Sequence, residues 1–146
     1  MPLQGEYEPS PVAFVRDQVA LIESSGGLEG ILDPEGRGVI VLTTLGAKSG
    51  KIRKSALMRV EHDGAYVVVA SQGGSRKNPV WYFNVQANPL VELQDGPERH
   101  DYLARELAGD ERALWWERAV ADFPPYGEYQ KRTERVIPVF ILERVK

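Results

Sequence analysis

Apolar residues near the start of the chain recur every three to four positions. Four of them share one face of a helix: Val12, Val15, Val19 and Ile22. Ser10 and Pro11 suit the start of a helix, and Gly26-Gly27 suits its end. The pattern therefore predicts an amphipathic N-terminal helix over about residues 10–25.

The next apolar segments have the spacing of strands. Val39–Leu45 is a continuous run of apolar and β-branched residues, which predicts a buried strand. After a basic turn, Ala56, Met58 and Val60 fall on one face of a second strand. The dipeptide Asp63-Gly64 predicts a tight hairpin turn into the apolar segment AYVVVAS. We therefore expect three strands joined antiparallel, with no helix between them.

The second half of the chain predicts two further helices and three further strands. Asn78-Pro79 is typical of a helix start and Asn88-Pro89 of its end. A hairpin follows around Gly96-Pro97, and the helix ERALWWERAVADF then runs up to Pro124-Pro125. RVIPVFILERV predicts a terminal strand, in which Pro138 suits an edge or a strand end. About six antiparallel strands with helices outside favour a mainly β fold, a closed or split barrel, over a doubly wound sheet.

Composition narrows the chemistry. The 146 residues suffice for one domain with its own core, so we expect a single domain over residues 1–146. Cysteine is absent, which excludes disulfides and thiol chemistry, and His62 and His100 each lack a second ligand nearby, so we expect no metal. A net charge of −3 argues against a broad nucleic-acid-binding surface. Because no signal-peptide pattern or membrane-spanning run occurs, we expect a cytoplasmic protein.

The segment LTTLGAKSGKIRK, residues 42–54, places cations in a glycine-spaced turn after the buried strand. It is not a Walker phosphate loop, because Gly50-Lys51 is followed by Ile52 rather than Ser or Thr. Its glycines still let backbone amides face an anion, and Lys48 and Arg53 add charge. A second basic pair, Arg76-Lys77, precedes a predicted helix start, which also favours anions. The two sites suggest one long, multiply charged ligand; the alternative is that these cations are solvated surface charges.

Three separated segments carry a resemblance to a known family: LTTLGAKSGKIRKSALMRVEHDG, VVVASQGGSRKNPVWYFNVQANPLVELQDG and PPYGEYQKRTERVIPVF. They closely resemble the deazaflavin-dependent nitroreductases of actinobacteria, and the likeness covers roughly residues 36–143. The resemblance implies a split β-barrel of the flavin-reductase or FMN-binding type. It also implies coenzyme F420, an 8-hydroxy-5-deazaflavin with a phosphate and an oligoglutamate tail. Reduced F420 would transfer a hydride to quinones, nitro compounds or enone-type acceptors.

The same resemblance implies which residues hold the coenzyme. The phosphate and tail would meet the basic segments, at Ala47, Lys48, Ser49, Arg53, Lys54, Arg76 and Lys77. The deazaflavin ring would be lined by Ser55, Leu57, Val69, Ala70, Ser71, Gln72, Val80, Trp81 and Tyr82. Gln72 stands where some members of the family have a lysine, so one charge contact is expected to be missing.

Tyr126 and Tyr129 match the substrate-side tyrosines of the family, which implies that they donate a proton or stabilise a developing oxyanion. The alternative is that both pack in a loop. Three functions stay open: an F420-dependent reductase leads, followed by an FMN-dependent oxidoreductase on the same barrel and a non-catalytic deazaflavin carrier. We expect a small-molecule acceptor, no nucleic acid and no membrane span. Peripheral membrane contact and the choice between monomer and homodimer are left open.

Overall fold

The computed structural model describes residues 3–145. In chain order its elements are α1 (Ala13–Ser24), β1 (Val39–Leu45), β2 (Ile52–Met58), β3 (Glu61–His62), β4 (Ala65–Val69), a single 3₁₀ turn (Gln72–Gly74), α2 (Val80–Ala87), β5 (Leu90–Asp95), β6 (Glu98–Glu106), α3 (Gly109–Asp122), α4 (Pro125–Lys131) and β7 (Val139–Arg144). The N-terminal helix, the short helix α2 and the β5–β6 hairpin confirm the sequence predictions.

The strands form one antiparallel sheet in the order β2-β1-β5-β6-β7-β4-β3. The two ends of this order, β2 and β3, are separated in the chain only by Arg59 and Val60. At this bend the Arg59 amide donates to the Gly38 carbonyl at 2.9 Å, while the Val60 carbonyl accepts from the Val67 amide at 3.0 Å. The sheet therefore curls into a half-barrel, which confirms the predicted mainly β fold with one strand more than expected.

The hairpin at Asp63-Gly64 is shorter than its sequence indicates. Both residues have positive φ, 52° and 84°, as in a tight two-residue turn. Within residues 52–62, the two residues of β3, Glu61 and His62, form the ladder with β4, whereas β2 pairs with β1. The longer partner of β4 is β7. The expectation that the second strand would run directly into a paired third strand was therefore wrong, because the chain bends at Arg59-Val60 and the ladder is broken there.

Alternating side chains divide the interior into three apolar clusters. The inner cluster takes buried residues from five strands and from α2, so α2 packs inside the half-barrel. On β1, for example, Ile40 and Leu42 point into this cluster, whereas Val39 and Val41 point outward to α1. The third cluster joins β4 and β7 to α3 and α4, and contains Trp115.

Two details of the helices differ from expectation. Asn78 does not cap α2, which begins at Val80, because the Asn78 side-chain oxygen accepts a hydrogen bond from Arg135 instead. The tyrosines after Pro124 lie in helix α4 rather than in a loop.

Pro138 directly precedes β7 in the middle of the sheet, which confirms the strand-end alternative. Over residues 3–145, no helix combines the length and hydropathy needed to cross a bilayer.

Candidate functional site

A cavity of about 530 Å³ opens between the turn after β1 and helix α2. Of the residues that the structure describes, these line it: Glu8, Gly46, Ala47, Lys48, Ser49, Arg53, Val80, Phe83 and Asn84. Val80 and Phe83 form an apolar wall that is 66% and 50% exposed, respectively. Lys48 and Arg53 bring positive charge to the same cavity. The cavity therefore suits a ligand with an apolar body and anionic groups.

The turn itself, residues 46–54 and here called the basic turn, is closed by its own main chain. The Gly46 amide donates to the Lys51 carbonyl at 2.7 Å, and the Gly50 amide donates to the Gly46 carbonyl at 2.9 Å. Gly50 has φ of +69°, a left-handed conformation that favours glycine. Within residues 3–145, the amides of Lys48 and Ser49 donate to no acceptor. These two amides can therefore bind an external anion.

Asn84 of α2 connects the basic turn to the sheet. Its side chain is buried, its Oδ1 accepts from the Ala47 amide at 2.9 Å, and its Nδ2 donates to Thr44 Oγ1 at 3.2 Å. A satisfied buried amide of this kind holds two elements in a fixed relation. The sequence prediction did not include Asn84, although a polar residue between Phe83 and Val85 in a largely apolar helix was a usable signal.

Carboxylates neutralise most of the charge on the basic turn. The ion pairs are Lys51–Glu6 at 3.6 Å, Arg53–Glu8 at 3.2 Å, and Lys54–Glu23. Glu6 and Glu8 are brought there by main-chain hydrogen bonds with Ile52, at 2.7 and 2.9 Å. Over residues 3–145, Lys48 has no carboxylate oxygen within 4.0 Å. Lys48 is therefore the cation of this turn most available to a ligand.

Alternation along β2 separates Lys54 from the cavity. Arg53 lines the cavity, and Leu57, on the same face of β2, packs against the inner cluster. Lys54 points the opposite way, toward α1, where its ammonium lies 5.0 Å from the centre of the Tyr7 ring and pairs with Glu23. The structure therefore does not place Lys54 with the other residues expected on the phosphate and tail.

The residues expected around the ring are spread over two regions. Val80 lines the cavity, whereas Trp81 and Tyr82 point inward and lie 6.2 and 5.6 Å from Phe140 between ring centres. Four others belong to the end of β4 and the turn after it: Val69, Ala70, Ser71 and Gln72. Ser55 is half-buried on β2 opposite Leu42. The structure thus brings Ala47, Lys48, Ser49, Arg53 and Val80 together, and leaves the rest outside the cavity lining.

The loop that joins β4 to α2, residues 70–79 and here called the β4–α2 loop, has an unusual backbone. Gln72, Gly73 and Gly74 have consecutive positive φ values of 45°, 64° and 83°. Ser71 before them is right-handed helical, with φ of −76°. A right-handed residue followed by a left-handed one turns successive amides into a concave anion-binding arrangement. In the described part of the chain the Gln72 and Gly73 amides have no acceptor, and Arg76 in the same loop is exposed.

Helix α4 packs against this loop at Gly74. A Cβ at Gly74 would lie 2.7 Å from the Tyr129 carbonyl oxygen and 3.0 Å from Arg132 Cβ, so only glycine fits. Tyr129 is half-buried on α4. Tyr126 is only 5% exposed and its ring centre lies 4.8 Å from that of Phe123. Burial raises the pKa of Tyr126, which makes its hydroxyl a weaker acid.

The chain matches the family model of F420H(2)-dependent quinone reductases over residues 14–144. It belongs to that family. An F420H(2)-dependent quinone reductase of Mycobacterium tuberculosis is 35% identical over 136 residues, which cover 91% of each chain. A putative F420H(2)-dependent quinone reductase of Mycobacterium bovis gives the same values. Membership in the F420H(2)-dependent quinone reductase family confirms the resemblance and F420 as the cofactor, with quinone reduction rather than nitroreduction in the family name.

Two solved structures are also similar to this member of the family. One, described as an F420-H2 dependent reductase (FDR-A), is 57% identical with a TM-score of 0.69, and the match covers 72% of this chain and 93% of that one. The other, described as a domain-swapped dimer, is 52% identical with a TM-score of 0.72, and the match covers 92% of this chain and 100% of that one.

Proposed function

We propose that this protein binds F420 in the cavity between the basic turn and α2, with the coenzyme extending to the β4–α2 loop that precedes α2, and reduces quinones with the bound, reduced coenzyme. The observation that carries the proposal is the cavity of about 530 Å³, which has Val80 and Phe83 on one side and Lys48 and Arg53 on another. F420 combines an apolar ring with an anionic phosphate and tail, so its chemistry fits this lining. When bound, F420 supplies the hydride chemistry, and the protein supplies binding, orientation and proton transfer.

The basic turn binds the phosphate and the tail of F420. Lys48 carries no nearby carboxylate in the described chain, and the Lys48 and Ser49 amides have no acceptor there, so both charge and hydrogen bonds are available. Arg53 contributes as well, in competition with Glu8. The Gln72 and Gly73 amides bind the polar edge of the ring. They can donate to a neutral or an anionic oxygen without a change in the backbone, because the loop already holds them in this conformation.

Helix α4 supplies the proton that completes quinone reduction. Tyr129 is half-buried and its main chain touches the β4–α2 loop at Gly74, whereas Tyr126 is buried in the apolar cluster with Phe123. A buried phenol with a raised pKa gives up its proton less readily. Tyr129 is therefore the donor, and Tyr126 supports its helix by packing.

The wider range of acceptors and the assembly are part of the same proposal. Nitro compounds and enones share with quinones an electron-poor double bond or group, so we include them after the quinones as further electron acceptors to be tested. The similar structure described as a domain-swapped dimer supports a homodimer, which size-exclusion chromatography with light scattering would measure. The cytoplasmic location and peripheral membrane contact are tested by fractionating cells that produce the protein.

The deciding experiment is a fluorescence titration with F420 and with FMN, followed by stopped-flow oxidation of the protein loaded with reduced F420. We expect a low micromolar dissociation constant or better for F420, roughly −8 kcal/mol, much weaker FMN binding, and rapid oxidation by a quinone. Equal or tighter FMN binding would favour the FMN-dependent alternative. Tight F420 binding with no oxidation by any quinone, nitro compound or enone would favour the carrier.

A further inference from the structure

Arg135 lies between α4 and β7, in the third segment that carries the resemblance, but it is not among the residues that the sequence assigned to the site. Its guanidinium donates three hydrogen bonds to the β4–α2 loop: Nε to the Ser75 carbonyl at 2.8 Å, Nη1 to Asn78 Oδ1 at 2.7 Å, and Nη2 to the Ser71 carbonyl at 2.8 Å. One rigid, planar group therefore holds the loop near its start, in its middle and near its end.

We propose that Arg135 is a positioning residue of the cofactor site, which aims the Gln72 amide and holds the Arg76-Lys77 pair toward the ligand. The inference rests on the proposed function, because it assigns these groups to F420. Arg135 itself need not touch the coenzyme. Its contacts with Ser75 and Asn78 lie on either side of the basic pair, so the segment that carries both cations is held by the Ser75 main chain on one side and by the Asn78 side chain on the other.

The contact with Ser71 sets the direction of the next amide. The Ser71 carbonyl and the Gln72 N–H belong to one planar trans peptide and point in opposite directions. Because Arg135 and the Gly74 amide, at 2.9 Å, both bind the Ser71 carbonyl, the Gln72 N–H is held pointing away from them. Gln72 adopts φ of 45°, which is unfavourable for a residue with a side chain, so these bonds oppose relaxation of the peptide.

The charge of Arg135 adds to the same region. Its three acceptors are two main-chain carbonyls and one amide, all neutral, and over residues 3–145 no carboxylate oxygen lies within 4.0 Å of its guanidinium. Arg76 and Lys77 likewise have no such partner in the described chain. No adjacent carboxylate offsets the charge of these three cations, so together they attract an anionic ligand. A neutral side chain in place of Arg135 would hold the loop without adding to this attraction.

Arg135 is itself anchored to α4. Gln130 Nε2 donates to the Arg135 carbonyl at 2.8 Å, and Gln130 Oε1 accepts from the Ile137 amide at 3.0 Å. The guanidinium therefore projects from a segment held to the helix that carries Tyr129. This anchoring connects the proposed proton donor and the proposed ring contacts through one hydrogen-bonded unit.

The test compares Arg135→Met and Arg135→Lys with the wild type and with Arg118→Met, a matched control whose guanidinium lies 4.6 Å from the Trp115 ring on α3. The readouts are hydrogen–deuterium exchange of residues 72–78 without coenzyme, and F420 titration. We expect faster exchange in both Arg135 variants and about tenfold weaker F420 binding. Lysine keeps the charge but cannot donate to three acceptors in one plane, so it should not rescue either readout. The control should match the wild type.

Asn78→Ala provides a second test if the Arg135 variants fail to fold, because it keeps the Arg135 guanidinium and removes one of its three acceptors. We expect it to weaken F420 binding about threefold, in proportion to one lost hydrogen bond. Folded Arg135 variants that bind F420 like the wild type would overturn the inference while the proposed function stands. Full rescue by Arg135→Lys would overturn positioning in favour of charge alone. Wild-type protein that binds no F420 would overturn the proposed function itself.

Discussion

The basic turn and the β4–α2 loop present positive charge in opposite ways. The turn has more cations, but Glu6, Glu8 and Glu23 pair with three of them. In the described chain the loop has only Arg76 and Lys77, supplemented by Arg135, and none of them faces a carboxylate within 4.0 Å. The number of cations in a segment therefore overstates the field that it offers a ligand when distant parts of the chain supply the counter-charges.

The two segments also differ in what holds them. The basic turn is closed by its own main-chain hydrogen bonds and by Asn84 from α2. The β4–α2 loop also has main-chain hydrogen bonds of its own, from Gly74 to Ser71 and from Ser75 to Gln72, but the Arg135 side chain and the surface of α4 against Gly74 hold it as well, and both lie far away in the sequence. A change in α4 or in the segment before β7 should therefore disturb the loop and leave the turn intact.

The largest effect is expected from Gly74→Ala. The new Cβ would lie 2.7 Å from the Tyr129 carbonyl and the residue would keep φ of +83°, so we expect a loss of about 2–4 kcal/mol in the free energy of unfolding. Gly73→Ala is the matched control: its φ is +64°, but nothing lies within 4 Å of its Cβ, and the expected loss is about 1 kcal/mol. Urea denaturation measures both. Equal losses would mean that α4 yields easily and does not brace the loop.

The next effect concerns the two tyrosines of α4. We expect Tyr129→Phe to lower quinone turnover by about tenfold to a hundredfold, below the full range of general-acid catalysis, because water can partly replace the hydroxyl. Tyr126→Phe should change turnover by less than about twofold, since its ring is buried against Phe123 and keeps its packing. Steady-state kinetics with saturating F420 decides. A larger loss in Tyr126→Phe would reverse the assignment, and loss of F420 binding in either variant would indicate packing against the coenzyme.

Sequence periodicity predicted most of the fold, because local spacing records which face of each element is buried. It could not predict the β2–β3 bend, since pairing partners depend on the closure of the whole sheet and Asp63-Gly64 reports only its own turn. The helical conformation of residues 125–131 was also missed, because two prolines and a glycine weaken the helical pattern.

The candidate site was predicted in part, and the missing residues have a common cause. Lys48, Ser49 and Arg53 could be predicted together because they are close in sequence, and the structure places all three in the lining of one cavity. Asn84, Arg135 and Glu8 act on segments about 37, 64 and 45 residues away in the chain, as their contacts with Ala47, Ser71 and Arg53 show. Contacts over such distances leave no local pattern.

A smaller effect would sharpen the difference between paired and unpaired cations in the basic turn. Lys48→Ala should weaken F420 binding about tenfold at low salt, because Lys48 lines the cavity and has no carboxylate partner in the described chain. Lys51→Ala, which removes the same charge from a residue paired with Glu6 outside the cavity lining, should weaken it by about twofold or less. Titration at two ionic strengths should reduce the difference as salt rises. Equal weakening by the two variants would mean that only the total charge matters.

The smallest effect should come from the carboxylate that enters the cavity. Glu8 is 3.2 Å from Arg53 and both side chains are partly exposed, so the pair contributes little to stability but competes with an incoming anion. We expect Glu8→Gln to tighten F420 binding about two- to threefold at low salt, and Glu6→Gln, whose partner Lys51 is not part of the lining, to leave it unchanged. F420 without its oligoglutamate tail shows which anionic group competes, since the gain persists only if Arg53 binds the phosphate. Weaker binding in Glu8→Gln would instead show that Glu8 holds the Arg53 guanidinium in its binding orientation, and the N-terminal segment would then be part of the site rather than its competitor.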